Sequence, residues 1–276
     1  MNRFIIQAEN GRLSPDQAQV VDCIEQWNWL HHDSPPLQFE LCSSDDLATR
    51  TDVNALTPSG SIDFVERVMQ RKLKNPNVHI QPINVPPSLA SSNFTGRKIK
   101  RMSRKDLFTT FSSDKSTGYW SQEEFDGVFF VKSNLQCKGF FVDGNREYIL
   151  KLISKYEQET EFFVSSALPC PILSEWRVFV YHERILDARP YCLPGIEISG
   201  TIEAPNYHFI QAVLRHWKPR PTACTLDVAA LQDGRTVVVE CHNFLSCGLY
   251  GFDSPYIPDM LNCAYADEIQ SQNSRN

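Results

Sequence analysis

The segment LDVAALQDGRTVVVE, running from Leu226 to Glu240, holds two carboxylates at a spacing that suits metal binding. Asp233-Gly234 fits a two-residue type I′ loop, and apolar runs of strand length flank it on both sides. Pairing about that loop matches Ala230 with Val237, Val228 with Val239 and Leu226 with Cys241 along one apolar face. The other face then sets Asp227 against Glu240. Opposed carboxylates repel unless something positive lies between them, and hard oxygen ligands suit Mg²⁺. Two alternatives stay open: both carboxylates solvated at an exposed hairpin end, or a one-residue bulge that undoes the register.

A second hairpin carries the opposite charge. In SEWRVFVYHERILDARPY, the alternating run Trp176, Val178, Val180 breaks at His182-Glu183-Arg184 and resumes at Ile185 and Leu186. A loop of those three polar residues sets Arg177 opposite Arg189. Like charges opposed in a sheet call for an anion between them, so removing either arginine should leave the fold intact and relieve repulsion. Charges on a solvated sheet face are the alternative. A third hairpin-like stretch, FDGVFFVKSNLQCKGFFV, has an apolar strand ending in Lys132, a short connection, then Lys138-Gly139 and another apolar strand. Lysines flanking such a loop can reach over a phosphate chain.

These elements need a scaffold. Strand-like runs Phe4 to Gln7 and Leu37 to Leu41 alternate with helical segments around Ser14 to Trp29 and Ser61 to Lys74, whose leading serines suit N-caps. Residues 1–85 therefore read as a small α/β unit. Pro82, Pro86 and Pro87 mark a linker, the basic run GRKIKRMSRK follows, and helices are expected over 145–160 and 206–217. The final stretch DEIQSQNSRN is polar, which predicts a flexible tail over 266–276.

With 276 residues, 42% of them hydrophobic, the chain can bury a large core. No apolar run is long enough to span a bilayer and MNRFIIQAEN lacks a signal-peptide core, so a cytoplasmic location without membrane contact is expected. Nine cysteines without CxxC spacing read as reduced thiols. A net charge of −6 argues against a nucleic-acid partner.

Taken in order, VFFVKSNLQCKGF, SEWRVFVYHERILDARPY and TLDVAALQDGRTVVVECHNFLSCGLYGFD resemble the ATP-grasp superfamily, and within it the compact phage and bacterial branch of peptide-modifying carboxylate-amine ligases. TPSGSIDFVERV is similar to the end of that branch's preceding domain. The resemblance implies an α+β chain. A pre-ATP-grasp α/β domain over 1–85 would precede an ATP-grasp domain over 86–265, with lobes of about 86–163 and 164–265 gripping ATP.

The implied activity is ATP-dependent ligation of a carboxylate to an amine through an acyl-phosphate, releasing ADP and phosphate. The substrates would be small molecules, peptides or proteins, and the cofactors ATP with Mg²⁺ or Mn²⁺. The alternatives are a kinase acting on a hydroxyl and a catalytically weakened nucleotide-binding module. By resemblance, Lys132 would contact the adenine edge and α-phosphate, and Lys138 would cover the later phosphates. Val164, Ser165, Ser166, Ala167 and Leu168 would line the adenine, Glu175 the ribose or metal shell, and Arg177 and Arg189 would bind the reacting phosphoryl groups. Asp227 and Glu240 would hold the metal. The family pattern E-x-N here becomes Glu240-Cys241-His242-Asn243, so His242 stands where an asparagine ligand is expected. Strand alternation puts His242 on the Glu240 side and Asn243 on the other unless the strand bulges. Direct ligation by His242, a shifted Asn243 and a purely structural His242 all remain open.

Overall fold

The computed structural model describes residues 3–80, 82–112, 129–134, 139–142, 146–191 and 202–275. The N-terminal unit is a parallel sheet ordered β2-β1-β3, from β1 (Arg3–Gln7), β2 (Gln38–Cys42) and β3 (Thr57–Ser59). Helix α1 (Pro15–Leu30) starts where the Ser14 hydroxyl accepts from Gln17 N, with proline in the first turn, where its missing N–H is not needed. Helix α2 (Ile62–Leu73) is capped the same way by Ser61 and stops at Lys74 in the left-handed conformation. Its buried residues Phe64, Val65, Val68 and Met69 recur at helical spacing and form the face turned to the sheet.

The expected linker is packed in place. Val85 and Leu89 are buried, and Cys241 N donates to Asn84 O at 2.7 Å. The short helix α3 (Ser92–Thr95) then leads to β4 (Ile99–Ser103) and α4 (Arg104–Ser112). With β5 (Phe129–Ser133), β6 (Phe140–Val142), α5 (Arg146–Ile153) and β7 (Glu161–Ser165), these build an antiparallel sheet ordered β4-β7-β5-β6. Leu107, Phe111, Ile149 and Ile153 of the two helices cover Val131, Phe162 and Val164 of that sheet.

A second antiparallel sheet, ordered β11-β10-β8-β9, comprises β8 (Ile172–Tyr181), β9 (Arg184–Pro190), β10 (Ala223–Leu231) and β11 (Thr236–Asn243). Val178, Val180, Leu226 and Val228 on one face pack with Ile210, Val213 and Leu214 of α6 (Tyr207–His216). On the other face Phe179 stacks on Phe252 with ring centroids 4.1 Å apart, inside a core continuous with β1, α1 and α2. Each such side chain, fully buried, contributes roughly 1.5–3 kcal/mol relative to exposure. The boundary expected at residue 85 thus separates sheets without separating cores.

Helix α7 (Ile257–Arg275) closes the chain and corrects the expectation of a flexible tail over 266–276. Ile269 packs against the N-terminal core, and Gln272 is buried and donates to His79 O at 3.0 Å. A few anchored positions hold a helix whose composition looks like that of a tail.

Both charged hairpins reach the expected pairing by an unexpected route. In β10–β11 the loop is three residues, Gln232 to Gly234: Leu231 N donates to Arg235 O, and only Gly234 takes positive φ, at 82°. A type I′ loop needs positive φ at both central residues, so the Asp233-Gly234 reading fails. The pairs become Ala230 with Thr236 and Val228 with Val238, until a bulge leaves Val239 unmatched and restores Asp227 opposite Glu240. In β8–β9 the loop is two residues, His182 with φ 52° and Glu183, and Arg184 enters the ladder opposite Tyr181. A bulge between Phe179 and Val180 then restores Arg177 opposite Arg189.

Candidate active site

Alternation along the strands gathers Glu175 and Arg177 of β8, Asp227 of β10, and Glu240 and His242 of β11 on one sheet face. Arg177 Nε donates to Asp227 Oδ1 at 2.9 Å and Nη2 to Oδ2 at 2.8 Å, a forked contact almost wholly buried. The Tyr191 hydroxyl donates to Asp227 Oδ2 at 2.7 Å, and the Arg177 guanidinium lies between the rings of Tyr191 and Tyr250, 5.0 and 5.2 Å from their centroids. Lys132, 3% exposed, reaches from β5 in the other sheet to Glu240 Oε2 at 2.6 Å. His242 Nε2 lies 2.9 Å from Glu240 Oε1 and 3.6 Å from Asp227 Oδ2.

The opposed charges are therefore neutralised within the protein, which corrects the expectation that the arginine pair waits for an anion. Asp227 answers Arg177, and Asp187 answers Arg189 at 2.7 Å. Burial opposes ionisation of Asp227, but hydrogen bonds from Arg177 and the nearby imidazole hold its carboxyl well below the ordinary range. Glu240, also buried, is lowered by His242 and Lys132. Burial disfavours a charged His242, yet the two carboxylates outweigh it and raise its pKa. Glu175 moves the other way, raised by burial and then by the charges of Asp227 and Glu240.

The donor set fits a divalent cation. Ligand atoms of Asp227, Glu240 and His242 lie within 4.8 Å of one another, close to the separations around a single ion. His242 Nε2 is buried and, despite its proximity to two carboxylates, lacks a partner in hydrogen-bonding geometry, as an imidazole nitrogen awaiting a metal would. Two carboxylates with one imidazole suit Mn²⁺ or Zn²⁺ better than the all-oxygen shell Mg²⁺ prefers. Asn243 is not brought to this set: its side chain bonds Leu245 N and Glu268 on the opposite side.

Beside the cluster, between the two four-stranded sheets, lies a cleft of about 390 Å³. Lys132, Ser165, Ser166, Ala167, Leu168, Glu175 and Glu240 all line it, as the sequence predicts for a shared site. Val164 does not, because its side chain is in the core and its backbone is paired to Lys100 and Val131 on both sides. Arg189 also stands apart, half-exposed and held by Asp187. Lys138 lies outside the described residues.

The family model for an ATP-grasp domain, the second family of its clade, matches residues 94–260. This chain belongs to the ATP-grasp superfamily. Among solved structures, D-cycloserine synthetase DcsG is similar with a TM-score of 0.59 and 11% identity, covering 96% of this chain and 99% of that one. D-alanine–D-alanine ligase from Bacillus anthracis complexed with ATP is similar with a TM-score of 0.51 and 11% identity, covering 99% and 100%. A RimK domain ATP-grasp protein from Sphaerobacter thermophilus gives 0.51 and 12%, covering 97% and 99%. At such identities the likeness is one of fold. No curated protein matches the sequence.

Within this ATP-grasp site, three residues went unread in the sequence. Arg97 lines the cleft with its Nε buried and unpartnered, while its Nη2 donates to Val239 O at 3.0 Å. Gly96, at φ 64°, turns the chain so tightly against Val237 that an added Cβ would lie 2.7 Å from it. That glycine was the available signal for which member of the basic run points inward. Tyr191 and Tyr250 gave none, since aromatics in and near strands are ordinary core residues. The thiols nearest the cluster are not nucleophiles: burial pushes Cys247 up to about 12 and Cys241 well above its usual value.

Proposed function

We propose that this ATP-grasp protein is an ATP-dependent ligase that joins a carboxylate to an amine. The observation that carries the reading is the cleft between the sheets. Lys132 and Arg97 bring positive charge to it, and it opens onto a cluster of two carboxylates and an imidazole able to hold a divalent ion. In this reading ATP lies in the cleft, its base along Ser165 to Leu168 and its phosphates towards Lys132, Arg97 and the cluster. The substrate carboxylate attacks the γ-phosphorus, ADP leaves, and the amine then displaces phosphate from the acyl-phosphate. Such phosphoryl transfer asks the protein for positioning and charge neutralisation, with no side-chain nucleophile. A divalent ion held by Asp227, Glu240 and His242 would neutralise phosphate charge.

Product analysis tests the reading. Incubation with ATP, Mg²⁺ or Mn²⁺ and mixed carboxylate and amine substrates should release ADP and free phosphate together with an amide. Phosphate retained covalently on a hydroxyl would instead identify a kinase.

A further inference from the structure

A larger cleft, of about 410 Å³, lies between the N-terminal unit and the loop that follows β11. A smaller cavity shares Ser246, Cys247 and Gly248 with it and is also lined by Arg177 and His242, so the large cleft communicates with the cluster. Its wall carries charges of both signs. Glu9 is held ionised below its ordinary range by hydrogen bonds from Ser44 and Gln7, all of which go to Oε1. Asp16 accepts from Leu249 N through Oδ1 alone. Among the described residues, Glu9 Oε2, Asp16 Oδ2 and the Arg12 guanidinium have no partner. The floor is apolar, with Phe244, Leu249 and Val20. At the junction of the two cavities, Ser246 adopts φ 54°, and its hydroxyl is buried without a partner. Non-glycine residues held in that region cost about 1–3 kcal/mol and concentrate at functional sites.

We infer that this cleft binds a free amino acid or dipeptide in zwitterionic form. Its ammonium lies towards Glu9 and Asp16, its carboxylate towards Arg12, and its apolar side chain against the floor. A zwitterion matches both signs of charge, whereas a simple amine or a simple carboxylate leaves one sign unanswered. The volume suits a small ligand and is too small for a folded protein partner. This inference rests on the ligase reading, for which it names the substrate class.

The test is calorimetric binding of the common free amino acids, each compared with its N-acetyl derivative and its decarboxylated amine, to the parent protein without nucleotide. At least one amino acid should bind about tenfold more tightly than both of its single-ended analogues. Glu9→Gln should weaken the amino acid roughly 10- to 100-fold and leave its N-acetyl derivative unchanged, and Arg12→Gln should do the converse with the amine. Circular dichroism and an unchanged ATP affinity would show both variants folded. Binding of ATP with no discrimination between amino acids and their analogues overturns the zwitterion cleft while the nucleotide site stands. Selective amino acid binding sensitive to Glu9→Gln, without ATP binding, supports the cleft and overturns the ligase reading.

Discussion

Asp227 and Glu240 stand opposite each other on β10 and β11, yet each is held by a cation from a different element. Arg177, from the neighbouring strand β8, forks onto Asp227, whereas Lys132 crosses from the other sheet to Glu240. The first contact lies inside one rigid sheet, and the second spans the cleft between two. Only the second has to rearrange when a nucleotide enters and its phosphates compete for the lysine.

Arg177→Ala should therefore cost stability, the reverse of what opposed arginines suggest. It leaves Asp227 buried and unpaired, which costs about 3–5 kcal/mol. Arg189→Ala removes a half-exposed pair worth about 0–1 kcal/mol. Urea unfolding of both variants checks this, and equal midpoints would show that the Arg177–Asp227 contact does not anchor the sheet.

Glu175→Gln should stabilise the protein in a pH-dependent way. The folded-state pKa of Glu175 is raised, so its contribution is fully present below the unfolded carboxylate value and is lost as pH rises through the folded one. The variant, which cannot ionise, should melt above the parent at pH 8, and the gap should close near pH 4. A constant gap across that range would mean that the burial of Glu175 does not govern its ionisation.

His242→Asn removes the one nitrogen from the donor set and installs an oxygen. If His242 ligates, the metal preference of nucleotide binding should move from Mn²⁺ towards Mg²⁺, by about tenfold in relative affinity. Unchanged preference would return His242 to a structural role between two carboxylates.

The site was more legible than the fold around it, for a physical reason. Side-chain alternation has period two, so any pairing that keeps the offset near the functional residues keeps their faces. In each hairpin the loop differed by one residue from expectation, and a bulge compensated, which left Asp227 opposite Glu240 and Arg177 opposite Arg189. What the pattern could not give was the identity of the counterions. Tyr191 and Asp187 are near neighbours of Arg189 in sequence, but which carboxylate pairs with which arginine depends on the order β11-β10-β8-β9. Arg97 was hidden for the same reason, because its partners lie across the cleft. The helical end of the chain was missed because single positions such as Gln272, not composition, anchor it.

The central claim is that nucleotide and divalent metal bind together at the cleft and the Asp227, Glu240, His242 cluster. Titration calorimetry with a non-hydrolysable ATP analogue, with and without Mn²⁺ or Mg²⁺, measures this directly for the parent and for Glu240→Gln. Metal should tighten nucleotide binding by about tenfold or more in the parent and have little effect in Glu240→Gln. Binding that is equally strong with and without metal in both proteins, or absent from a folded parent, would contradict the account.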